Sequence, residues 1–258
     1  MKIVVLVKEV PDTYGDRRLS LETGLADRAG SETVLDEIGE RALEVALSYA
    51  DKTPGTEVVV LSMAPESASV TVRKGLAMGA GSAVQVVDVG LLGADLGLTA
   101  EVLAAALQRT GFDLVIAGNQ STDGVGGVVP AMVAEILDVP SVTYLGAVEI
   151  GEGVVSGTRA SDGASMQVTA PLPAVISITE ALPDARFPNF KAIMAAKKKP
   201  FETLSLAELE IEPHDPAASR SIVIGLSEKP PRGAGVKIVD EGDAGQKLAD
   251  FLIQNRLV

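Results

Sequence analysis

Apolar positions along the chain follow two different periods. Residues 2–7, KIVVLV, form an almost unbroken apolar run rich in β-branched side chains, and Val10-Pro11-Asp12 stops it. A run without alternation marks a strand buried on both faces. The same pattern returns at residues 57–62, 82–87 and 112–117. Between these runs the spacing becomes helical. Residues 36–49 place apolar side chains at 38, 42, 45 and 46, which predicts a helix with Asp36 at its N-cap. Residues 66–78 predict a second helix, with Gly79 as its C-cap. Residues 99–110 predict a third, opened by Thr99 and followed by Gly111, and residues 126–137 a fourth.

Strands that alternate with helices and are apolar throughout imply parallel pairing with both faces covered. Right-handed crossovers then predict a doubly wound, mostly parallel α/β sheet of Rossmann-like type. The expected strand order is 3-2-1-4-5, with its reversal between the first and fourth strands. Residues 12–32 are polar and glycine-containing and read as a long excursion. After Pro140 the pattern changes. Residues 148–150 and 154–159 flank Gly151-Glu152-Gly153 as a hairpin, and residues 166–170 extend this small antiparallel portion. Residues 173–178, PAVISI, return to a buried strand. From residue 201 the chain is rich in Pro, Glu and Ser, with little periodicity until residues 244–252. The expected division is therefore an α/β domain over residues 1–200 and a C-terminal arm over 201–258. That arm has no core of its own and must wrap its own domain or a partner.

Composition narrows the function. The chain has 258 residues, 47% of them hydrophobic but only 3% aromatic and none Trp, so Val, Leu, Ile and Ala must fill the core. A formal net charge of −13 argues against nucleic acid and against an anionic membrane surface, since both require clustered Lys and Arg. The absence of Cys excludes disulfides and thiolate chemistry. Neither a targeting segment nor a membrane-spanning run is read, which gives a cytoplasmic expectation without membrane insertion.

The stretch with most chemistry is GNQSTDGVGGVVP, residues 118–130, between the fourth strand and the fourth helix. In an open parallel sheet, ligands sit at the carboxyl ends of the strands where the order reverses. Glycines let backbone N–H groups approach an anion, and the following helix turns its positive end toward it. Ser121 and Thr122 supply hydroxyl donors. Leu6 and Val7 face the loop from the first strand and could line an adenine. The alternative is a long loop that uses Gly only to turn. No Gly-Lys-Ser/Thr follows, so this is not a Walker A loop, and no GxGxxG follows the first strand. The single histidine, His214, lies in the polar arm and reads as solvated. Asp12 and Asp123 could meet at the strand ends as an acid–base or metal pair, but a solvated role outweighs it, and no catalytic residue or metal site is assigned. Residues 186–199 carry Phe187 and Phe190 and end in Lys197-Lys198-Lys199. This reads either as a helix with cations in its last turn or as an apolar anchor with a basic collar.

With these stretches assembled, the chain resembles the β subunit of electron-transfer flavoprotein. The resemblance rests on VLVKEVPD at 5–12, VRKGLAMGA at 72–80, LVIAGNQSTDGVGG at 114–127 and RFPNFKAIMAAKKK at 186–199, with GAGVKIV at 233–239. It implies a heterodimer with an α subunit that holds most of an FAD, and an AMP in this subunit. By resemblance the AMP contacts are Leu6, Asp36, Glu37, Ile38, Gly39, Met63, Gly118, Asn119, Gln120, Ser121, Thr122, Asp123, Gly124, Val125, Gly126, Gly127 and Val128. The family's docking segment matches residues 183–199, with Phe187, Phe190, Ile193, Met194, Lys197, Lys198 and Lys199 as partner contacts. Phe190 stands where the family has an anchoring leucine. Ala195 replaces one of the family's methylatable lysines, and Lys198 matches another. Where some members place an aromatic on the flavin, this chain has Thr13 and Ile38, with Tyr14 beside the first. The resemblance further implies electron transfer from acyl-CoA and related flavoprotein dehydrogenases to a membrane quinone oxidoreductase, with no bond-breaking chemistry on this subunit. Relatives with a second FAD in place of AMP, and stand-alone nucleotide-binding modules, are the rival readings. The arm argues against the second.

Overall fold

The computed structural model describes residues 1–15, 17–28 and 30–258. The chain opens with β1 (Lys2–Leu6), followed by a short antiparallel pair, β2 (Glu9–Pro11) and β3 (Thr33–Leu35), which ties the base of the 12–32 excursion. Then come α1 (Glu37–Ala50), β4 (Glu57–Met63), a 3-10 turn at Glu66–Ala68, α2 (Ser69–Met78), β5 (Ser82–Val86), α3 (Leu96–Thr110), β6 (Leu114–Gly118) and α4 (Val129–Ile136). The second half holds β7 (Ser141–Leu145), β8 (Ala147–Gly151), β9 (Val154–Ser161), β10 (Ala164–Pro171), β11 (Ala174–Ile178), α5 (Phe190–Ala196), β12 (Phe201–Leu204) and α6 (Ala244–Gln254).

Seven strands form one sheet in the order β12-β5-β4-β1-β6-β11-β7, and every neighbouring pair is parallel. Its five central strands are the five apolar runs, in the expected order with the reversal between β1 and β6. The two edges were not expected. Ser141–Leu145 is too polar to read as a buried strand, and Phe201–Leu204 lies in the segment assigned to the arm. β8, β9 and β10 form a separate antiparallel sheet that bridges β7 and β11, where a crossover helix would otherwise stand.

The alternation within β1 shows why helices cover both faces. Ile3, Val5 and Val7 pack with Leu43 of α1 and Leu76 of α2, while Val4 packs on the other face with Leu107 of α3 and Val133 of α4. These side chains are buried, and each contributes about 1.5–3 kcal/mol of transfer free energy. Two helix starts differ from expectation. α3 begins at Leu96 because the Asp95 carboxylate accepts from Leu98 N–H at 2.8 Å, which leaves Thr99 inside the helix. α4 begins at Val129, since Gly126 and Gly127 stay in the loop.

The compact body extends to Ile224, past the boundary expected at residue 200. Leu206 and Leu209 are buried on the α3 face of the sheet, and Arg220 pairs with Glu101 at 2.5 Å. The second unit, residues 225–258, contains α6, which has no buried residue. No helix among the described residues is long and apolar enough to cross a membrane.

Candidate functional site

The site lies at the carboxyl end of the sheet, where β1 and β6 run side by side and their outgoing connections diverge. Leu6 ends β1 and Met63 ends β4, both half-buried. Gly118 ends β6. A Cβ on Gly118 would stand 2.5 Å from Ile38, so the absence of a side chain there lets the first turn of α1 seat against the loop. This contact brings residues 36–39 and 118–128 together.

Asp36 sits at the N-cap of α1, as expected, but its side chain does not cap the helix. It is 2% exposed, and its Oδ2 accepts from Thr122 N–H at 2.9 Å. Its Oδ1 is buried and has no partner among the described residues. Burial pushes its carboxyl above the usual carboxylate range, while the Thr122 N–H pulls the other way. An orphaned buried acceptor of this kind needs a donor, which a bound molecule can supply.

Asp123 has the opposite balance. Oδ1 accepts from Lys8 Nζ at 2.7 Å and from Gly124 N–H at 2.7 Å, and Oδ2 faces Arg28 at 3.2 Å. Burial opposes its charge, but the hydrogen bond and charge of Lys8, with the Ser121 hydroxyl and Gly124 N–H, hold its carboxyl down at about 2. Lys8 also donates to Ser121 Oγ at 3.3 Å. The Arg17 guanidinium donates to the Thr122 carbonyl, to Thr122 Oγ1 at 3.2 Å and to Pro11 O at 3.0 Å. The loop is therefore fastened by the turn after β1, by the excursion and by the start of α1. Asp123 does not pair with Asp12, whose carboxylate instead accepts from Tyr14 N–H. Among the described residues no cluster of His, Cys, Asp or Glu could hold a metal.

A pH dependence follows. A folded pKa below the unfolded value stabilises the fold above about pH 4, and that contribution disappears as pH falls toward 2. At neutral pH the Asp123 pairing contributes on the order of 1–2 kcal/mol after screening. Asp123→Asn should lower urea stability by that amount at pH 7, and the deficit should shrink steadily between about pH 4 and pH 2. A constant deficit across this range would refute the ion-pair account.

The far half of the loop is arranged differently. Val125 adopts φ 51°, unusual for a β-branched residue, and its N–H donates to Ser121 O at 3.0 Å. Tyr144 donates its hydroxyl to Gly127 O at 3.1 Å. Among the described residues the N–H groups of Gly126, Gly127 and Val128 have no acceptor. They precede the first turn of α4, where the Val129 and Ala131 N–H groups are likewise outside the helix ladder and Pro130 has none. Successive free amides at a helix start form a cradle for an oxyanion. Gly124, Val125, Gly126 and Val128 are exposed, so the cradle is open to solvent, whereas Asn119 is buried and donates its N–H to Ile178 O.

The docking candidates lie elsewhere, on the segment before β12. Asn189 caps α5 by accepting from Ala192 N–H at 2.9 Å. Phe187 is 92% exposed and Phe190 79%, and Ile193, Met194, Lys197 and Lys198 are exposed beside them. Lys199 departs from the expected collar. Its Nζ donates to the carbonyls of Leu76 at 2.9 Å and Ala80 at 2.7 Å, and burial lowers its pKa. His214 is exposed.

Comparison with known proteins decides the family. The model of the electron transfer flavoprotein domain matches residues 23–209. The chain belongs to the electron transfer flavoprotein family. A Mycobacterium tuberculosis protein named electron transfer flavoprotein subunit beta is 44% identical over 263 residues, covering 99% of each chain. A Syntrophomonas wolfei protein of the same name is 34% identical, covering 98% of this chain and 96% of its own. A caffeyl-CoA reductase-Etf complex subunit, CarD, of Acetobacterium woodii is 32% identical, covering 98% and 97%. Within this family member, Lys8, Arg17, Arg28 and Tyr144 are the site residues that sequence reading passed over. Lys8 carried a signal, as the charge that closes the first apolar run. The two arginines lie in an excursion without periodicity, and Tyr144 reaches the loop from a strand that was not foreseen.

Proposed function

We propose that this chain is the β subunit of a heterodimeric electron carrier and holds an adenylate at the β1/β6 divergence. One observation carries the reading: the 118–128 loop leaves the N–H groups of residues 126–128 unbonded, and the Asp36 carboxylate that accepts from Thr122 of the same loop keeps a buried, orphaned Oδ1. The first feature suits a phosphate and the second a hydroxyl or amino donor, which are the two polar ends of AMP. Leu6 and Met63 would supply apolar contact to the base. FAD, held mainly by the α subunit, would supply the redox chemistry. This chain's residues would then bind, position and exclude water. The exposed apolar residues of α6 fit a surface covered by the α subunit, so residues 225–258 are assigned to that interface. Phe187, Phe190, Ile193 and Met194 are assigned to docking a flavoprotein dehydrogenase such as an acyl-CoA dehydrogenase. Onward transfer to a membrane quinone oxidoreductase completes the proposed route, in the cytoplasm.

The test is nucleotide content after co-expression with an α subunit. One FAD and one AMP per heterodimer support the carrier. Two FAD would place a flavin dinucleotide at this site, a reading kept open by the relative named as a subunit of a caffeyl-CoA reductase-Etf complex. A stable nucleotide-bound monomer that ignores the α subunit would overturn the assignment.

A further inference from the structure

Residues 183–199 present an exposed apolar strip on a short helix that rests on α2. α5 has seven residues and buries only Ala196. So short a helix has little stability of its own, and few packed contacts hold the residues before it. α5 rests on α2, and beyond that contact the segment is held at its two ends, both fastened to the body by charged side chains.

At the first end Arg186 forks onto Glu44 of α1. Its Nε lies 2.7 Å from Oε2, one terminal nitrogen lies 2.8 Å from Oε1, and its backbone N–H donates to Oε2 at 3.0 Å. That terminal nitrogen also reaches Asp51 at 2.9 Å. Ser48 donates to Glu44 Oε1 at 2.8 Å and fixes the carboxylate. Arg41, one turn earlier on α1, pairs with Asp184 and donates to the Leu182 carbonyl. At the second end Lys199 donates to the Leu76 carbonyl in the last turn of α2 and to the Ala80 carbonyl just past it, where a cation also suits the helix dipole. Arg73 of α2 donates to Ala196 O at 3.2 Å while lying 4.6 Å over the Phe201 ring. Between these two fastenings, Phe187 and Phe190 touch little.

We propose that Arg186–Glu44 and Lys199 form a two-ended clamp that holds residues 187–194 in a docking-ready pose. Neither clamp end meets the partner: these are positioning residues for the strip. The inference rests on the docking reading above. Its physical basis is preorganisation: a strip already ordered loses less entropy when a partner closes over it. The clamp also explains why the triple-lysine run is not a uniform collar. Lys197 and Lys198 face solvent, and Lys199 is a fastener.

The test uses the full heterodimer, with an acyl-CoA dehydrogenase reduced by its acyl-CoA as electron donor. Glu44→Gln weakens the first end and Lys199→Met removes the second. Each should raise the KM for the heterodimer about threefold to tenfold while kcat holds. Deuterium exchange over residues 187–196 should rise in both, with exchange in α1 and α3 unchanged. Phe190→Ala is the comparison, because it removes an anchor and leaves the clamp. If Phe190→Ala raises KM while both clamp variants leave KM and exchange unchanged, the clamp is wrong and docking stands. If Phe190→Ala leaves KM unchanged, the docking reading fails, and exchange alone decides the clamp. Should Glu44→Gln fail to fold, Lys199→Met carries the same two readouts.

Discussion

If the proposed adenylate site is right, replacing Asp36 with alanine should yield a heterodimer that retains FAD but binds AMP weakly. Asp36 serves both sides of the site: Oδ2 holds the Thr122 N–H and Oδ1 waits without a partner. A hydrogen bond to a charged group is worth about 1.5–3 kcal/mol, so AMP affinity should fall roughly 10- to 100-fold. A second effect follows from mass action. A ligand that binds only the folded state raises its stability with concentration, so the melting temperature of the wild type should climb with added AMP and that of the variant should climb only at roughly 10- to 100-fold higher AMP. Asp36→Asn separates these roles. Burial raises the Asp36 pKa, so its folded-state contribution is present below the unfolded pKa and is lost as pH rises through the folded value. The amide keeps an acceptor for Thr122 and carries no charge to desolvate. At pH 7 without nucleotide it should be at least as stable as wild type. Isothermal titration and thermal melts decide the matter, and an Asp36→Ala variant that binds AMP normally would remove this residue from the site.

The sheet was legible in the sequence because both faces of its central strands are covered. Residues 2–7, 57–62, 82–87, 112–117 and 173–178 have no polar alternation to blur them, and their order follows from the handedness of the crossovers. The edges were not legible for the same physical reason. Ser141–Leu145 and Phe201–Leu204 are each covered incompletely, so solvent-facing Thr and Glu break the apolar run. The boundary at residue 200 followed from that miss. A segment poor in periodicity reads as an arm, yet Leu206 and Leu209 are enough to bring its first part onto the body.

The geometry of the candidate site was legible as backbone and opaque as side chains. Glycines at fixed places after a buried strand announce where N–H groups gather, and residues 126–128 do leave their amides unbonded. Which charges would fasten the loop could not be read. Lys8 meets Asp123 from the turn after β1, and Arg17 and Arg28 meet residues 122–123 because the excursion folds back across the sheet end, contacts over about a hundred residues with no local periodicity. Asp36 was read as a helix cap from its place before α1. The tertiary contact with Thr122 won over the local one, as a buried carboxylate within reach of a loop N–H allows.

Gly127→Ala should be the most damaging single-methyl change in the loop. Gly127 has φ 67°, where an alanine Cβ costs about 1–2 kcal/mol by itself. The added Cβ would also run into the Tyr144 hydroxyl, which would have to leave the Gly127 carbonyl. Losing that hydrogen bond adds roughly 1 kcal/mol, for a total of about 2–3 kcal/mol. The two costs can be told apart, because the Tyr144 ring carbon that bears the hydroxyl lies 3.5 Å from the same Cβ position, an ordinary contact. Tyr144→Phe therefore removes the clash but not the backbone strain. Tyr144→Phe alone should cost about 1 kcal/mol, and the double variant should lie well short of the sum of the singles. Urea unfolding of the three variants measures the cycle, and AMP titration follows the same series. If the strain at residue 127 is local, affinity should fall with Gly127→Ala and recover only in part in the double variant, because the cradle N–H of residue 127 keeps its strained backbone. Strict additivity of the two substitutions would show that Tyr144 does not hold this turn and that the loop takes its shape from the Lys8, Arg17 and Arg28 fastenings alone.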